Sequence, residues 1–470
     1  MTDDSSTRIV TDLRSWLATA APGTQLPSTR SLVGRYAASP ITVQKALRQL
    51  AAQGLVETRP GVGAFVRDVR LARAADYGWQ TAALGASPPR GPAGSAPLRY
   101  AANDVIALHS GYPDRELLPE RLVRAAFARA ARGDSAVNRP PSAGLPELQS
   151  WFAAELAERA GRLGSPPAAG DVVVFPGSQS ALNTVFRTLV GSGRPLIVES
   201  PTYWGALLAA AQAGVRVVPL ASGPAGPDPE ELDRALAQTG ARAFYAQPAF
   251  ANPTGAQWRP EVSDAVLEAV RRHGAFLIED DWAHDFGIEH EPVPLAVRDD
   301  DGHVVYLRSL TKSLSPAVRV AGVVARGPAR ERILRDVRAE AMYVSGLLQA
   351  VALDVVTQPG WRSHVRGLRQ QLRARRDLMV DAVRRAAPAL QLDAVPRGGL
   401  NLWLRLPDGT DLARLAEECE RAGVLVAPGD EWFPAEPPGA YLRLNYSGPN
   451  PGAFPDGVEA IARAVRGQRR

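Results

Sequence analysis

The stretch Ser309-Leu310-Thr311-Lys312-Ser313-Leu314-Ser315-Pro316-Ala317-Val318-Arg319-Val320-Ala321-Gly322 decides how the rest of the chain is read. At its centre stands Lys312, one of only two lysines (the other is Lys45) among 54 Lys+Arg in 470 residues. Wherever a plain cation serves, this chain uses arginine. A lysine kept against that habit points to chemistry a guanidinium cannot perform. A primary amine condenses with an aldehyde to a Schiff base, and a buried lysine can lose its proton. Ser309 precedes Lys312 by three residues and Arg319 follows it by seven. A hydroxyl and a guanidinium suit a dianionic phosphate, the first through a short hydrogen bond and the second through a charge-assisted fork.

In these residues the stretch resembles the lysine segment of fold-type I pyridoxal 5'-phosphate enzymes, the aspartate aminotransferase superfamily. The resemblance implies that Lys312 forms the Schiff base and that Ser309 and Arg319 are phosphate ligands. From about Arg99 onward the chain has the matching organisation. Apolar runs at 172–175, 196–199, 216–220, 243–247, 275–280 and 304–307 alternate with helical stretches. That alternation predicts a doubly wound α/β sheet with ligand sites at the C-terminal ends of its strands.

The remaining motifs fall at those ends. Gly177-Ser178-Gln179-Ser180-Ala181-Leu182 follows a strand and opens a helix, so its backbone N–H groups face an anion. It resembles the phosphate-binding turn of the aminotransferases, which makes Ser178 and Gln179 expected ligands. In Pro201-Thr202-Tyr203-Trp204-Gly205, Tyr203 matches the aromatic that stacks on the pyridine ring. Asn252, in Asn252-Pro253-Thr254-Gly255, matches the amide that bonds the cofactor's phenolic oxygen. Asp280, in Ile278-Glu279-Asp280-Asp281-Trp282, matches the carboxylate that keeps the pyridine nitrogen protonated so that the ring can accept electrons. Trp282 stands where relatives usually place a tyrosine hydroxyl beside the phenolic oxygen. Arg443, in Tyr441-Leu442-Arg443-Leu444-Asn445-Tyr446, matches the fork that clamps the α-carboxylate of a substrate or effector. His109-Ser110-Gly111-Tyr112-Pro113-Asp114 and Gly144-Leu145-Pro146-Glu147-Leu148 resemble segments near the start of the same domain.

The first seventy residues read differently. Ile9, Leu13, Trp16 and Leu17 recur at i, i+4, i+7 and i+8, marking an amphipathic helix that ends before Pro22-Gly23. Ser28 caps a short second helix to about Tyr36, and Ser39 with Pro40 opens a third that stops at Gly54. Two short helices across a tight turn make a helix-turn-helix. Strand-like runs at 55–59 and 64–67 then flank Pro60-Gly61-Val62-Gly63 as a hairpin, or wing. This region holds nine Lys/Arg against five Asp/Glu.

From Gln25-Leu26-Pro27-Ser28-Thr29-Arg30 through Ile41-Thr42-Val43-Gln44-Lys45 to Gly61-Val62-Gly63-Ala64-Phe65-Val66, the region resembles the GntR-type winged helix. The resemblance implies double-stranded DNA as partner, with Ser28, Arg30, Thr42, Gln44 and Lys45 toward the major groove or its phosphates. Arg59, Gly61 and Gly63 would approach the minor groove, the glycines letting backbone pass close to DNA. The family usually has arginine at the position of Pro40, so one base or phosphate contact is weakened.

Between about Asp68 and Leu98 the periodicity fades, and Pro, Gly and Ser crowd residues 87–97. That composition makes a spacer. The expected organisation is a winged helix-turn-helix at 1–70, a linker at 71–98 and an α/β fold-type I domain with a small C-terminal α+β subdomain at 99–470.

One cysteine, Cys419, cannot form an internal disulfide, and no stretch has the uninterrupted apolar length of a membrane span. A cytoplasmic protein is expected, with no membrane partner and no metal. The two motif sets in this order resemble the MocR subfamily of transcription regulators. The resemblance implies a homodimer, pyridoxal 5'-phosphate as cofactor, and the cofactor or an amino compound as effector acting through Lys312. The same residues also suit a working aminotransferase that carries a DNA-binding appendage.

Overall fold

In the computed structural model, helix α1 (Ser5–Leu17) turns Ile9, Val10, Leu13 and Leu17 into a small core. Residues 5–67, 80, 83, 96–102, 104–160 and 166–468 are described. The chain divides between Pro89 and Arg90 into two compact units, each described by itself. The segment expected as a linker lies, apart from residues 80, 83 and 96–98, outside the described residues.

In the first unit α2 (Thr29–Tyr36) begins where the Ser28 hydroxyl accepts the Ser31 N–H at 3.2 Å. Helix α3 (Pro40–Ala52) begins where Ser39 accepts the Thr42 N–H at 3.2 Å, with Pro40 in the first turn, where its missing N–H costs nothing. Strands β1 (Val56–Arg59) and β2 (Gly63–Val66) pair antiparallel, with Val56 opposite Val66 and Arg59 opposite Gly63. Leu32, Val43, Ala46, Leu47, Leu50, Val56 and Val66 complete the core.

In the second unit the strands are β3 (Ile106–Ala107), β4 (Val172–Phe175), β5 (Pro195–Ser200), β6 (Arg216–Gly223), β7 (Gly226–Pro227) and β8 (Ala243–Ala246). They continue as β9 (Phe276–Asp281), β10 (Val304–Ser309), β11 (Ala321–Val324), β12 (Asn401–Arg405), β13 (Val424–Leu425), β14 (Ala427–Pro428) and β15 (Tyr441–Asn445). The large sheet has the order β4-β11-β10-β9-β8-β5-β6-β7. β10, β9, β8, β5 and β6 run parallel. β11 opposes both neighbours, β10 and β4. β7 is likewise antiparallel to its neighbour β6. β4, β10 and β11 are buried throughout, as expected for strands covered on both faces.

The small sheet, in the order β12-β15-β14, is antiparallel, while β13 pairs with β3. Leu402, Leu404, Leu442 and Leu444 of the small sheet join Leu368, Leu372, Met379 and Val380 of the helix Pro359–Ala386 in one core. Val458 and Ile461 of the helix Phe454–Gly467 close it. This is the small α+β part expected at the C-terminal end.

Candidate functional site

Parallel strands end their chain segments on one edge of a sheet, and the chain follows that rule residue by residue. Asp280 lies near the end of β9, Ser309 at the end of β10, and Lys312 three residues further on. Asn252 follows β8, and Tyr203 follows β5.

Three rings surround the Lys312 amine. Nζ lies 4.9 Å from the ring centre of Trp282, 5.8 Å from Tyr112 and 5.9 Å from Tyr203. Burial pushes its pKa down to about 8, Asp280 acting the other way and Arg443 and Arg319 reinforcing the fall. Asp280 is itself buried, which raises its pKa against the hydrogen bonds that hold it ionised. Its Oδ2 accepts from the Tyr245 hydroxyl and from Gln247 Nε2, both at 2.8 Å. Its Oδ1 is buried and has no partner.

Gln247 ties two of the expected residues together. While its amide nitrogen holds Asp280, its Oε1 accepts the Asn252 N–H at 2.9 Å. Asn252 Oδ1 in turn accepts from Arg443 Nη1 at 3.2 Å. Arg443 Nη2 donates to the carbonyls of His109 at 2.6 Å and Ser110 at 3.1 Å, and its guanidinium lies 4.8 Å over the Trp432 ring. Burial brings its pKa down to about 9, and its Nε–H is left without a partner.

A second pocket of donors lies beside Gly177. This glycine sits at φ +95° immediately before the helix Ser178–Val185. A β-carbon there would come within 3.1 Å of the Arg319 guanidinium and 3.6 Å of the Thr311 hydroxyl. The Thr311 hydroxyl is buried and unpaired. Arg319 holds φ +45°, a left-handed conformation that costs a non-glycine residue. The donors thus converge on one small cradle at a helix N-terminus, an arrangement suited to an anion.

Several expected residues are already engaged. The Ser309 hydroxyl accepts the Thr311 N–H at 3.2 Å. Gln179 Nε2 donates to the Gly205 carbonyl at 2.7 Å, and its Oε1 accepts the Tyr203 hydroxyl at 3.4 Å. Ser178 is the first residue of its helix. The Trp282 indole N–H donates to the Phe250 carbonyl at 3.1 Å. Its donor is spent on backbone, so it presents a ring face to Lys312.

Sequence reasoning left out Tyr112, Tyr245, Gln247 and Thr311. Tyr245 lies on β8 and Gln247 directly after it, and both reach Asp280 on the neighbouring strand. Thr311 was visible inside the lysine stretch itself.

In the first unit Arg30, Gln44 and Lys45 are exposed. Ser28 and Thr42 spend their hydroxyls on caps, Thr42 Oγ1 lying 2.8 Å from Ser39 Oγ. Arg59 bonds Glu57 at 3.2 Å and lies 4.6 Å over Phe65. Gly61, at φ +73°, has open space around it. Gly63 differs: at φ +139°, a β-carbon would meet Gln25 Nε2 at 2.7 Å. That amide donates to the Val62 carbonyl at 2.9 Å. Close packing against Gln25 therefore also calls for a glycine at this position.

The chain matches two family models: aminotransferase class I and II over residues 103–461, and bacterial regulatory proteins of the gntR family over residues 5–66. It is 28% identical over 452 residues to a probable rhizopine catabolism regulatory protein, MocR, of Rhizobium meliloti, covering 94% of this chain and 89% of that one. It is 27% identical over 369 residues to a 2-aminoadipate transaminase of Thermus thermophilus, covering 77% of this chain and 90% of the transaminase.

Among solved structures, the α-aminoadipate aminotransferase LysN of Thermus thermophilus, complexed with N-(5'-phosphopyridoxyl)-L-leucine, superposes with a TM-score of 0.72 at 26% identity. That match covers 78% of this chain and 93% of LysN. The chain therefore belongs to the aminotransferase class I and II family, and with its gntR-family domain ahead of that fold it has the architecture of the MocR-like transcription regulators.

Proposed function

We propose that this regulator senses pyridoxal 5'-phosphate, or an amino compound that reacts with it, at Lys312, and that occupancy of this site changes how the winged helix binds DNA. One observation carries the reading: the Lys312 amine interacts electrostatically with Asp280, whose buried Oδ1 has no partner, in a chain that also holds a capped helix-turn-helix.

The residues fit the cofactor. Its phosphate matches the cradle of Ser178, Thr311 and Arg319, with Ser309 and Gln179 bracing the adjacent chain. Asp280 Oδ1 is placed to accept a hydrogen bond from a protonated ring nitrogen, and that cation opposes the rise in pKa that burial causes. When bound, pyridoxal phosphate supplies an aldehyde carbon to a primary amine and a ring that accepts electron density.

Lys312 offers an amine whose proton is already loosened. Tyr203 and Trp282 wall it with rings, and Asn252 holds its amide oxygen toward Arg443. Arg443 is the carboxylate clamp, because its buried guanidinium offers a planar charge-assisted fork to an arriving anion. Arg30, Gln44 and Lys45 meet the major groove or its phosphates, and Arg59 with the wing meets the minor groove. The chain acts as a cytoplasmic homodimer on two half-sites. Among the described residues no helix is long and apolar enough to cross a membrane.

The test titrates pyridoxal phosphate into the full-length apo-protein on its own upstream DNA, following fluorescence anisotropy. The expected coupling is about 5- to 150-fold in DNA affinity, abolished by Lys312→Ala. No shift, or a shift that survives Lys312→Ala, overturns the proposal. Repeated production of a keto acid from an amino acid identifies a working transaminase instead.

A further inference from the structure

We propose that Ile41 reads DNA sequence by packing against the C5-methyl group of a thymine in the major groove. Helix α3 buries Val43, Ala46, Leu47 and Leu50, so its opposite face is free for other work. Ile41, Gln44, Lys45 and Arg48 stand at i, i+3, i+4 and i+7 on that outward side, and all four are exposed. Residues so spaced form one continuous stripe along a helix.

Ile41 is 75% exposed. Among the described residues of the first unit, the large hydrophobic side chains left exposed are Ile41 and Val62. One stands at the leading end of α3 and the other at the turn of the wing, the two elements read here as facing DNA. Scattered single hydrophobics on a surface need no explanation, but this pair is not scattered.

The chemistry of that leading end narrows the partner. Pro40 has neither a donor side chain nor an N–H, and the Thr42 hydroxyl is engaged with Ser39 Oγ at 2.8 Å. Pro40 and Ile41 therefore present hydrocarbon at the exposed start of α3. A recognition helix reads base edges with its N-terminal residues, and thymine alone presents a methyl group in the major groove. An isoleucine at the second helical position makes no hydrogen bond to the other edges and leaves their polar groups desolvated and unpaired.

The proposal rests on α3 being the reading helix, and the experiment separates the two claims. Duplexes bound by the full-length protein are selected from a random library, and each thymine of the best site is replaced in turn by deoxyuridine, which lacks only the methyl. One thymine in each half-site is expected to be sensitive, with affinity falling about fourfold per methyl lost, the effect of re-exposing one such group to water.

Ile41→Ala is expected to weaken binding to the thymine duplex and to bind the deoxyuridine duplex equally well, while Ile41→Val keeps the sensitivity. If Lys45→Ala leaves DNA affinity unchanged, α3 is not the reading helix and both claims fall. If Lys45→Ala weakens binding but no thymine is sensitive, or Ile41→Ala keeps the sensitivity, the methyl contact alone is overturned.

Discussion

The reactivity of Lys312 can be measured without any cofactor. Burial pushes this amine from the ordinary 10.5 down to about 8. At pH 7 an amine with the ordinary value is neutral in roughly three molecules in ten thousand, and one at pKa 8 in roughly one in eleven. The expected gain in nucleophilic population is therefore about 300-fold.

Having only two lysines makes the assay simple, because Lys45→Arg leaves Lys312 as the sole lysine amine. Apo-protein is acetylated briefly at pH values from 6 to 11, and the Lys312 peptide is quantified by mass spectrometry. The rate should level off above an inflection near pH 8. Asp280→Asn removes the neighbour that raises the value, so the inflection moves to lower pH. Arg443→Gln removes a cation that lowers it, and the inflection moves up. A rate still climbing tenfold per pH unit through pH 9.5 would refute the reasoning, since the amine would then be titrating like a solvated one.

Other perturbations address the surroundings of that amine. Asp280→Asn should weaken pyridoxal phosphate binding by about 10- to 100-fold, the range of a charge-assisted hydrogen bond, as read from a spectroscopic titration. Gly205→Ala places a β-carbon 2.4 Å from the Tyr203 ring, so the ring must move. The cost is about 1–3 kcal/mol of overpacking, seen as lost cofactor affinity with the fold retained by circular dichroism. Arg308 is buried, bonds Glu155 at 3.2 Å and Asp285 at 3.3 Å, and lies 4.8 Å over Trp151. Arg308→Leu strands those carboxylates and should lower stability by about 3–5 kcal/mol in urea unfolding.

What the sequence made legible was local. Ser28, Ser39 and Pro40 announce their helices because a cap is satisfied within three residues of itself. The lysine stretch, the Asn252 turn and the Asp280 strand end were legible for the same reason, each being a short run with its own chemistry. β11, Ala321-Gly322-Val323-Val324, was not among the apolar runs read as strands. The need for Gly322 comes from Phe152, whose ring a β-carbon would meet at 2.8 Å. Gln247 and Tyr245 were missed because their partner, Asp280, lies on the neighbouring strand β9. Strand alternation shows which residues share a face, but only the topology shows what that face meets. Trp282 stands where relatives place a tyrosine hydroxyl, and its N–H belongs to the Phe250 carbonyl.

That distinction also locates where a ligand could act. Lys312 and Asp280 belong to the large sheet's edge, whereas Arg443 lies on β15 of the small sheet. The strands of the two sheets pack in different cores, and at this site Phe250 and Trp282, which share the small sheet's core, and the Asn252–Arg443 hydrogen bond join them. A ligand that touches only Lys312 and Asp280 meets the large sheet alone and has little differential hold on how the two sheets are arranged. A ligand whose carboxylate competes with Asn252 for Arg443 contacts both, and only differential contact can shift a conformational equilibrium. On this geometry an amino acid is a stronger switch than an amine of the same size without a carboxylate. Comparing the effect on DNA affinity of an amino acid and its decarboxylated amine, each in the presence of pyridoxal phosphate, tests that ordering. If the amine is equally effective, Arg443 is not the lever.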